Sequence, residues 1–249
     1  PYSIPYRALY SENVENLFFA GRNISMTHMA MSSIRVMATC ALLGEAVGKA
    51  AAVAVRNGIG PHEVYLEHMK QVQTLLLNED CFLPSRTRQI SEVCRHASLF
   101  GADDTIRNGQ DRAHEIYHTQ GSEAACQIPA GEEIRYRFPE TLLSCVHLVF
   151  DSDLNRSTLP VSECERYHSM RACQRLGSPQ LCMPKTLCRE FLLLGERGGK
   201  REELLHVTDN RKRCWHLNLN KAFDGLVLIP ISGWGENGRI PVISFDFEG

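Results

Sequence analysis

The residues best placed for chemistry follow a short apolar run near the start of the chain. Leu17–Ala20 is typical of a buried strand, and Gly21, Arg22 and Ser25 come directly after it. Behind this turn the spacing of apolar and small residues predicts a long helix over Ser33–Asn57. The start of a helix has unpaired N–H groups and the positive end of the helix dipole, so it attracts an anion or an electron-rich oxygen. We therefore take this turn and helix start as the candidate binding site.

A second pattern, the glycine triplet Gly233, Gly235 and Gly238, has the spacing of a dinucleotide-binding loop. That loop needs a strand before it, a helix after it and an acidic residue about 20 positions further on. Residues 239–243 are instead typical of a strand, and the sequence given ends too soon for the acidic residue. The glycines therefore predict a turn between two strands.

Two carboxylates, Asp151 and Asp153, alternate around one residue and would share one face of a strand. Paired carboxylates suit calcium. The alternative is an acidic turn whose carboxylates bond nearby amides or Arg156, and we favour the turn.

The cysteines and histidines do not form a pattern specific to metal binding or catalysis. The chain has ten Cys and ten His, with no CxxC pair. Zinc sites usually use such short knuckles, and the histidines match no hydrolase or protease motif. Disulfides among Cys164, Cys173, Cys182 and Cys188 are one alternative, and free buried thiols are the favoured one. We expect no metal site and assign no catalytic residue.

Two helices are predicted in the first part of the chain. Gly58 is a stop signal for the Ser33–Asn57 helix, and Pro61 opens a second helix over Pro61–Leu77. Small residues line one face of the long helix: Gly44, Gly48, Ala51 and Ala52. Each Gly costs about 1 kcal/mol of helix stability, so we expect a neighbouring element to pack closely on that face.

The second half of the chain is predicted to be β structure. Nine short apolar runs lie between turn residues, at 115–118, 124–128, 133–138, 145–150, 189–194, 204–208, 214–219, 226–230 and 242–247. Gly198-Gly199 has the composition of a hairpin turn. Together they predict an antiparallel β-sandwich of the jelly-roll type, and an α+β fold for the whole chain.

Composition divides the chain and excludes some partners. Residues 1–58 contain five basic and three acidic residues and no Asp, whereas the later part is acidic. We expect a first segment over 1–58, a linker helix with its exit loop over 59–84, and the sandwich over 85–249. The net charge of −2 gives no basic field for nucleic acid. We expect no membrane span, because Glu45 and Lys49 interrupt the most apolar stretch.

The stretch Asn16–Ser25, with the Ala- and Gly-rich helix behind it, closely resembles the last flavin-binding segment of the bacterial FAD-dependent oxidoreductases. In that group a strand ends in Ala-Gly-Arg and a long helix points its N-terminus at the flavin. Glu67–Pro84 resembles the helix and exit loop that follow. The β region is similar to the galactose-binding, discoidin-like sandwich appended to many of these enzymes.

The resemblance implies cofactor contacts residue by residue. The implied contacts are Gly21, Arg22, Ser25, Ser33, Ile34 and Arg35. Gly21 would allow close approach, Arg22 and Ser25 would contact the flavin or its ribityl chain, and the amides of the last three would face the flavin edge. Many related flavoproteins have Asp where this chain has Arg22, so that contact does not carry over. For Arg35, pairing with a carboxylate elsewhere in the enzyme is an equal alternative.

The resemblance also implies what lies outside this sequence. The group's strand–GxGxxG–helix, which cradles the pyrophosphate, has no counterpart here. We therefore expect the chain to be the C-terminal portion of an enzyme that transfers a hydride or electrons from a small organic substrate to FAD. We expect its principal partner to be the N-terminal FAD-binding half of the same protein. This chain alone would bind FAD weakly or not at all and would be inactive. The compartment is left between the cytoplasm and the bacterial periplasm or cell envelope.

An alternative gives the function to the sandwich. It would then be a carbohydrate- or partner-binding module without catalysis of its own. Loops at one end of a sandwich commonly bind ligands. Aromatic side chains that we expect there are Tyr117, Tyr136 and Trp234.

Overall fold

The computed structural model describes residues 2–112, 125–154, 158–159, 166–167 and 182–249. The chain forms two compact units, Pro1–Arg88 and Gln89–Gly249. The first is helical and the second is built mainly of antiparallel strands, so the α+β fold class predicted from the sequence is confirmed.

The helical unit begins with a 3₁₀ turn, Tyr6–Leu9, and continues with four α-helices. These are α1 (His28–Ile34), α2 (Met37–Asn57), α3 (Pro61–Glu67) and α4 (Met69–Asn78). Two helix predictions need correction. The long helix begins at Met37 rather than Ser33, and the helix predicted over Pro61–Leu77 is interrupted at His68, which caps both α3 and α4.

Local signals account for the helix ends. Gly58 ends α2 in the left-handed region at φ 64°, and its N–H donates to the carbonyls of Ala54 and Val55. Pro61 occupies the first turn of α3, where its missing N–H leaves no bond unmade. The predicted stop after α2 and start of α3 are therefore confirmed.

One face of α2 forms the core of this unit. Leu43, Ala50, Val53 and Ala54 are buried at helical spacing. They pack in one cluster with buried residues of the neighbouring elements: Tyr6, Leu9, Ile24, Ile34, Val64, Val72 and Leu76.

The run Leu17–Ala20 is extended but does not form a regular strand, contrary to prediction. Phe18 makes a single antiparallel bridge with Tyr10, and the Phe19 N–H donates to the Leu9 carbonyl at 2.7 Å. No second extended neighbour pairs with the run among the described residues, so it does not continue into a sheet.

The second unit has one short helix, α5 (Glu92–His96), a 3₁₀ turn (Asp104–Arg107) and nine described strands. The strands are β1 (Ser98–Phe100), β2 (Cys126–Pro129), β3 (Ile134–Phe150), β4 (Thr158–Leu159), β5 (Arg166–Tyr167), β6 (Cys188–Arg197), β7 (Lys200–Val207), β8 (Cys214–Gly233) and β9 (Arg239–Glu248). Seven of them form one antiparallel sheet in the order β2-β9-β3-β8-β6-β7, with β1 beside β3. β4 and β5 pair separately.

This sheet folds over on itself into a sandwich because β3 and β8 each pass through both layers. The first half of β3 pairs with β1 and the second half with β9, while β8 follows β3 throughout. Tyr136 and Leu148 lie twelve residues apart on β3, about 40 Å in a straight strand. Yet the Tyr136 hydroxyl donates to the carbonyl of Phe245, which is paired with Leu148, at 2.8 Å.

The layers enclose an aromatic core. Tyr136 packs edge-on against the rings of Phe245 and Phe247, and Phe150 packs against Phe191 with 5.0 Å between ring centroids. The predicted antiparallel sandwich is therefore confirmed.

Two pairs of predicted strands prove to be single long strands. The runs at 133–138 and 145–150 both lie in β3, and those at 214–219 and 226–230 both lie in β8. The pairing of β3 with β8 shifts register between Arg137 and Thr141, so Pro139 lies in a bulge. The proline therefore interrupts the pairing locally without ending the strand. The run at 115–118 lies outside the described residues. Gly198 and Gly199, both with positive φ, form the predicted turn between β6 and β7.

Candidate functional site

The turn after the first apolar run is built around Gly21. Its φ is 95°, a conformation that strains any residue with a Cβ. A Cβ placed there would lie 3.9 Å from the Sγ of Cys40, which is in the first turn of α2. The Gly21 turn and the start of the long helix are therefore neighbours, as a shared site requires.

The polar side chains predicted to contact a cofactor lie on the surface around this turn. Arg22, Ser25, Ser33 and Arg35 are all exposed. The Ser25 N–H donates to the Ala8 carbonyl at 2.9 Å, which holds the loop in place. Neither arginine has a carboxylate within ion-pair distance among the described residues, so both guanidinium groups contribute positive potential here.

The amides of Ser33, Ile34 and Arg35 are not at the start of the long helix, because α1 ends there. The Arg35 N–H donates to the Met31 carbonyl at 3.1 Å. Ile34 is buried, and its carbonyl accepts a hydrogen bond from the Cys40 thiol at 3.7 Å. The chain leaves the helical conformation after Arg35 and re-enters it at Met37. Whether these three residues contact a cofactor stays a prediction.

The N–H groups at the start of α2 belong to Met37, Ala38 and Thr39. The residue that precedes them, Val36, provides no side-chain cap. The first amide with a helical acceptor is that of Cys40, which donates to the Val36 carbonyl at 3.0 Å. The dipole end of this 21-residue helix thus carries three amides for which the described residues provide no side-chain oxygen as acceptor.

The face of α2 opposite the core is apolar and open. Met37 is 90% exposed and Val55 is 82% exposed. Between them, a Cβ added to Gly44 or Gly48 would meet no atom within 4 Å. The element expected to pack on this small-residue stripe is therefore not among the described residues. We define the open face by Met37, Gly44, Gly48, Ala52 and Val55.

By length and composition alone, α2 is also long and apolar enough to cross a membrane. It carries Glu45 and Lys49 in its middle, and Lys49 pairs with Glu79 at 3.5 Å. Core helices of larger domains can be equally long and apolar, so the length and composition of α2 are weak evidence for a membrane span.

The sandwich carries a polar cluster that the sequence did not predict. His147 and His216 are directly opposite each other on β3 and β8. His147 Nε2 lies 3.8 Å from Asp111 Oδ2 and 3.9 Å from the Cys214 Sγ, and Ser244 donates to the same aspartate at 2.5 Å. We assign no catalytic base to this cluster.

The acidic pair and the glycine triplet both lie in turns. The Asp153 N–H donates to Asp151 Oδ1 at 2.9 Å, which makes the pair an Asx turn as favoured above. Among the described residues no group of three or more His, Cys, Asp or Glu could hold a metal ion. Gly233 ends β8 and Gly238, with φ 61°, precedes β9, so the triplet forms the predicted turn between strands.

Several thiols are buried and poorly reactive. Burial raises the pKa of Cys94, Cys145 and Cys188 to about 12. At neutral pH these groups are protonated and inert. Cys164 and Cys173 lie outside the described residues.

The aromatic residues expected at the sandwich surface differ in position. Tyr136 is fully buried in the core, so its predicted exposure is wrong. Tyr117 lies outside the described residues. Trp234 is half-buried at the end of β8, and its indole N–H donates to the Asn210 carbonyl at 2.8 Å.

Comparison with known proteins finds a similarity in the first segment. Residues 1–76 match the model of the family described as FAD dependent oxidoreductase. The match covers less than a third of the chain and includes Gly21, α1 and α2 entirely. No curated protein matches the sequence. Residues 1–76 are therefore similar to a segment of the FAD-dependent oxidoreductases, in agreement with the resemblance noted in the sequence.

Solved structures similar to this chain include carbohydrate-binding modules of family 32. A family 32 module from Streptococcus pneumoniae EndoD has 9% identity and a TM-score of 0.39, over 62% of this chain and 97% of that one. The family 32 module of C. perfringens NanJ, in complex with galactose, has 6% identity and a TM-score of 0.34, over 61% and 92%. The second family 32 module of a family 31 glycoside hydrolase, bound to GalNAc, has 11% identity and a TM-score of 0.39, over 62% of this chain and 99% of that one.

Proposed function

We propose that this chain is the C-terminal portion of an FAD-dependent oxidoreductase, in which residues 1–76 contribute one wall of the flavin site and the sandwich is an accessory domain. The observation that carries the proposal is the open face of α2. An apolar stripe with room for a neighbouring backbone is unusual on a surface helix. It is expected where a further part of a flavin-binding domain packs.

The residues at the start of α2 fit a flavin edge. FAD, when bound, supplies the hydride- or electron-accepting ring, which gains negative charge on reduction. The uncapped amides of Met37, Ala38 and Thr39 would hold that charge, assisted by the helix dipole. In this proposal they have the role that was predicted for the amides of Ser33, Ile34 and Arg35.

The Gly21 turn fits the same role. Because it has no side chain and a positive φ, its backbone can approach a planar ring closely. The exposed guanidinium groups of Arg22 and Arg35 add positive potential on the same surface. Ser25 and Ser33 offer hydroxyl groups for the ribityl chain. This chain would position the ring and favour its reduced form.

The substrate side belongs to the rest of the enzyme in this proposal. No catalytic base is assigned within the described residues. A small organic substrate would be oxidised at the flavin, and the chain alone would bind FAD weakly or not at all.

The test compares the 249-residue chain with the protein produced together with any residues encoded upstream of Pro1. The longer protein should retain stoichiometric FAD after gel filtration, and the chain alone should not. Gly48→Leu fills the open face and should reduce FAD retention at least tenfold. Leu66→Glu changes a side chain that is 63% exposed outside that face and should not. Equal retention in the two variants would contradict the proposed packing.

A second proposed role, ligand binding by the sandwich, is favoured by a separate observation. Both tryptophans of the chain, Trp215 and Trp234, meet at Asn210, and cationic side chains lie over their rings. Titration of neutral and acidic polysaccharides into the chain tests this role. Failure to bind any of them would reject it without affecting the flavin proposal.

A further inference from the structure

The loop between β7 and β8 is held rigidly by Asn210, which is 1% exposed. Its side-chain oxygen accepts hydrogen bonds from the Trp215 indole at 3.0 Å and from the Lys212 amide at 2.8 Å. Its backbone carbonyl accepts the Trp234 indole N–H at 2.8 Å, and its own N–H donates to the Arg189 carbonyl at 2.7 Å. The loop is therefore preorganised around one saturated residue.

Cations lie over both indole rings. Arg189 Cζ is 5.0 Å from the Trp234 ring centroid, and Arg211 Cζ is 5.9 Å from the same centroid. Lys212 Nζ is 4.9 Å from the Trp215 centroid. Stacking on an aromatic ring fixes the plane of a guanidinium group and leaves its N–H edge free to donate. We call Arg189, Arg211 and Lys212 the cationic end of the sandwich.

The cationic end has more positive than negative charge. Arg211 is paired with Asp209 at 3.1 Å. Arg189 and Lys212 are exposed, and neither has a carboxylate within ion-pair distance in the described part of the chain. This excess is local, because the chain as a whole has a net charge of −2. An anion is the ligand that such a surface attracts.

The surroundings favour one class of anionic ligand. The described large apolar side chains that are exposed all lie elsewhere, at Phe100, Leu142 and Leu154 in this unit, so nothing here would insert into a membrane. The tryptophan faces are covered by cations, so they offer no free platform for stacking nucleobases. Arginine forks match planar carboxylates in a bidentate way.

We propose that the cationic end binds the anionic groups of an acidic polysaccharide, with Arg189 and Lys212 as the contacts that provide most of the selectivity. This rests on the proposed ligand-binding role of the sandwich and specifies its ligand. Carboxylates of uronic acids fit the arginine geometry best, and sulfate esters share the same charge.

The test is calorimetric titration of the full chain with polygalacturonate, dextran sulfate, neutral dextran, oligothymidylate and phosphatidylserine vesicles. The expected result is binding of polygalacturonate that weakens as salt is raised. The double variant Arg189→Gln/Lys212→Gln should weaken it about tenfold. Both side chains can change without loss of the Asn210 bonds, which involve only their backbone atoms. The control is Lys200→Gln, which removes an exposed charge at the β6–β7 turn.

The outcomes distinguish two levels of the proposal, which are the ligand-binding role of the sandwich and the acidic ligand of its cationic end. Preference for dextran sulfate would make sulfate the anionic group. Binding of neutral dextran alone would overturn the acidic ligand and leave a polysaccharide-binding role. Binding that the double variant leaves unchanged would overturn the assigned residues. Binding only of oligothymidylate or vesicles, or of nothing, would overturn both levels. Unchanged near-ultraviolet circular dichroism of the variants excludes unfolding as the cause of a loss.

Discussion

The open face of α2 can be tested by substitutions that would harm a packed helix. Gly44→Ala and Gly48→Ala each replace a residue whose added Cβ meets nothing within 4 Å. Gly is about 1 kcal/mol less favourable than Ala in a helix interior, so the double variant should stabilise the helical unit by about 2 kcal/mol. Gly48→Leu should stabilise the unit nearly as much as Gly48→Ala alone, by about 1 kcal/mol, because Leu is also a strong helix former.

The assay is urea unfolding followed by the helical circular dichroism signal at 222 nm, which reports mostly on the unit Pro1–Arg88. Gly195→Ala provides the contrast, followed by the fluorescence of Trp215 and Trp234, which lie in the second unit. Its Cβ would lie 2.3 Å from the Phe223 ring, so the sandwich should lose about 1–3 kcal/mol. Destabilisation by Gly44→Ala or Gly48→Ala in the chain alone would refute an open face, since it would mean that another element already packs there.

Three further outcomes follow from named contacts. The Glu196 side chain is 6% exposed and pairs with two arginines, among them Arg201 at 2.8 Å. Since the arginines are partly solvated, Glu196→Gln should lower the free energy of unfolding of the sandwich in urea by about 1–2 kcal/mol. An unchanged free energy of unfolding would show that the pairs are not formed in solution. Burial raises the pKa of the Cys94 thiol from 9.0 to about 12, so at pH 8 its thiolate fraction is about a thousandfold lower than that of a thiol with a pKa of 9.0. Iodoacetamide should therefore label the exposed Cys182 before Cys94 in buffer, and the two should be labelled equally only in urea. Equal labelling rates in buffer would contradict the burial of Cys94. Gly21→Ala should destabilise the helical unit by about 1 kcal/mol because of its positive φ, and a neutral result would show that the turn relaxes.

The sequence could predict the features that local residues decide. Gly58 ends a helix because it adopts a left-handed φ at no steric cost, and the Gly198–Gly199 turn follows the same rule. The alternation of apolar residues predicted the sandwich. These features need only a few neighbouring residues, so they can be inferred without the fold.

Features that depend on distant contacts were predicted incorrectly. The break between α1 and α2 carries no glycine or proline to mark it, so the local sequence does not predict it. The continuity of β3 through Pro139 depends on its pairing with β8.

The polar cluster was likewise missed, since Asp111 and Ser244 are 133 residues apart in sequence. The only local signal was the alternation of Cys214 and His216, which would place both on one face of a strand.

The proposed flavin-binding role requires that the start of α2 faces a flavin. The decisive measurement is the visible flavin absorption of the protein carrying any residues encoded upstream of Pro1, recorded after saturation with FAD and removal of unbound cofactor. We predict one FAD per chain, lost when Gly48→Leu fills the open face. A protein that stays colourless under these conditions, or that keeps its FAD with the face filled, would contradict it.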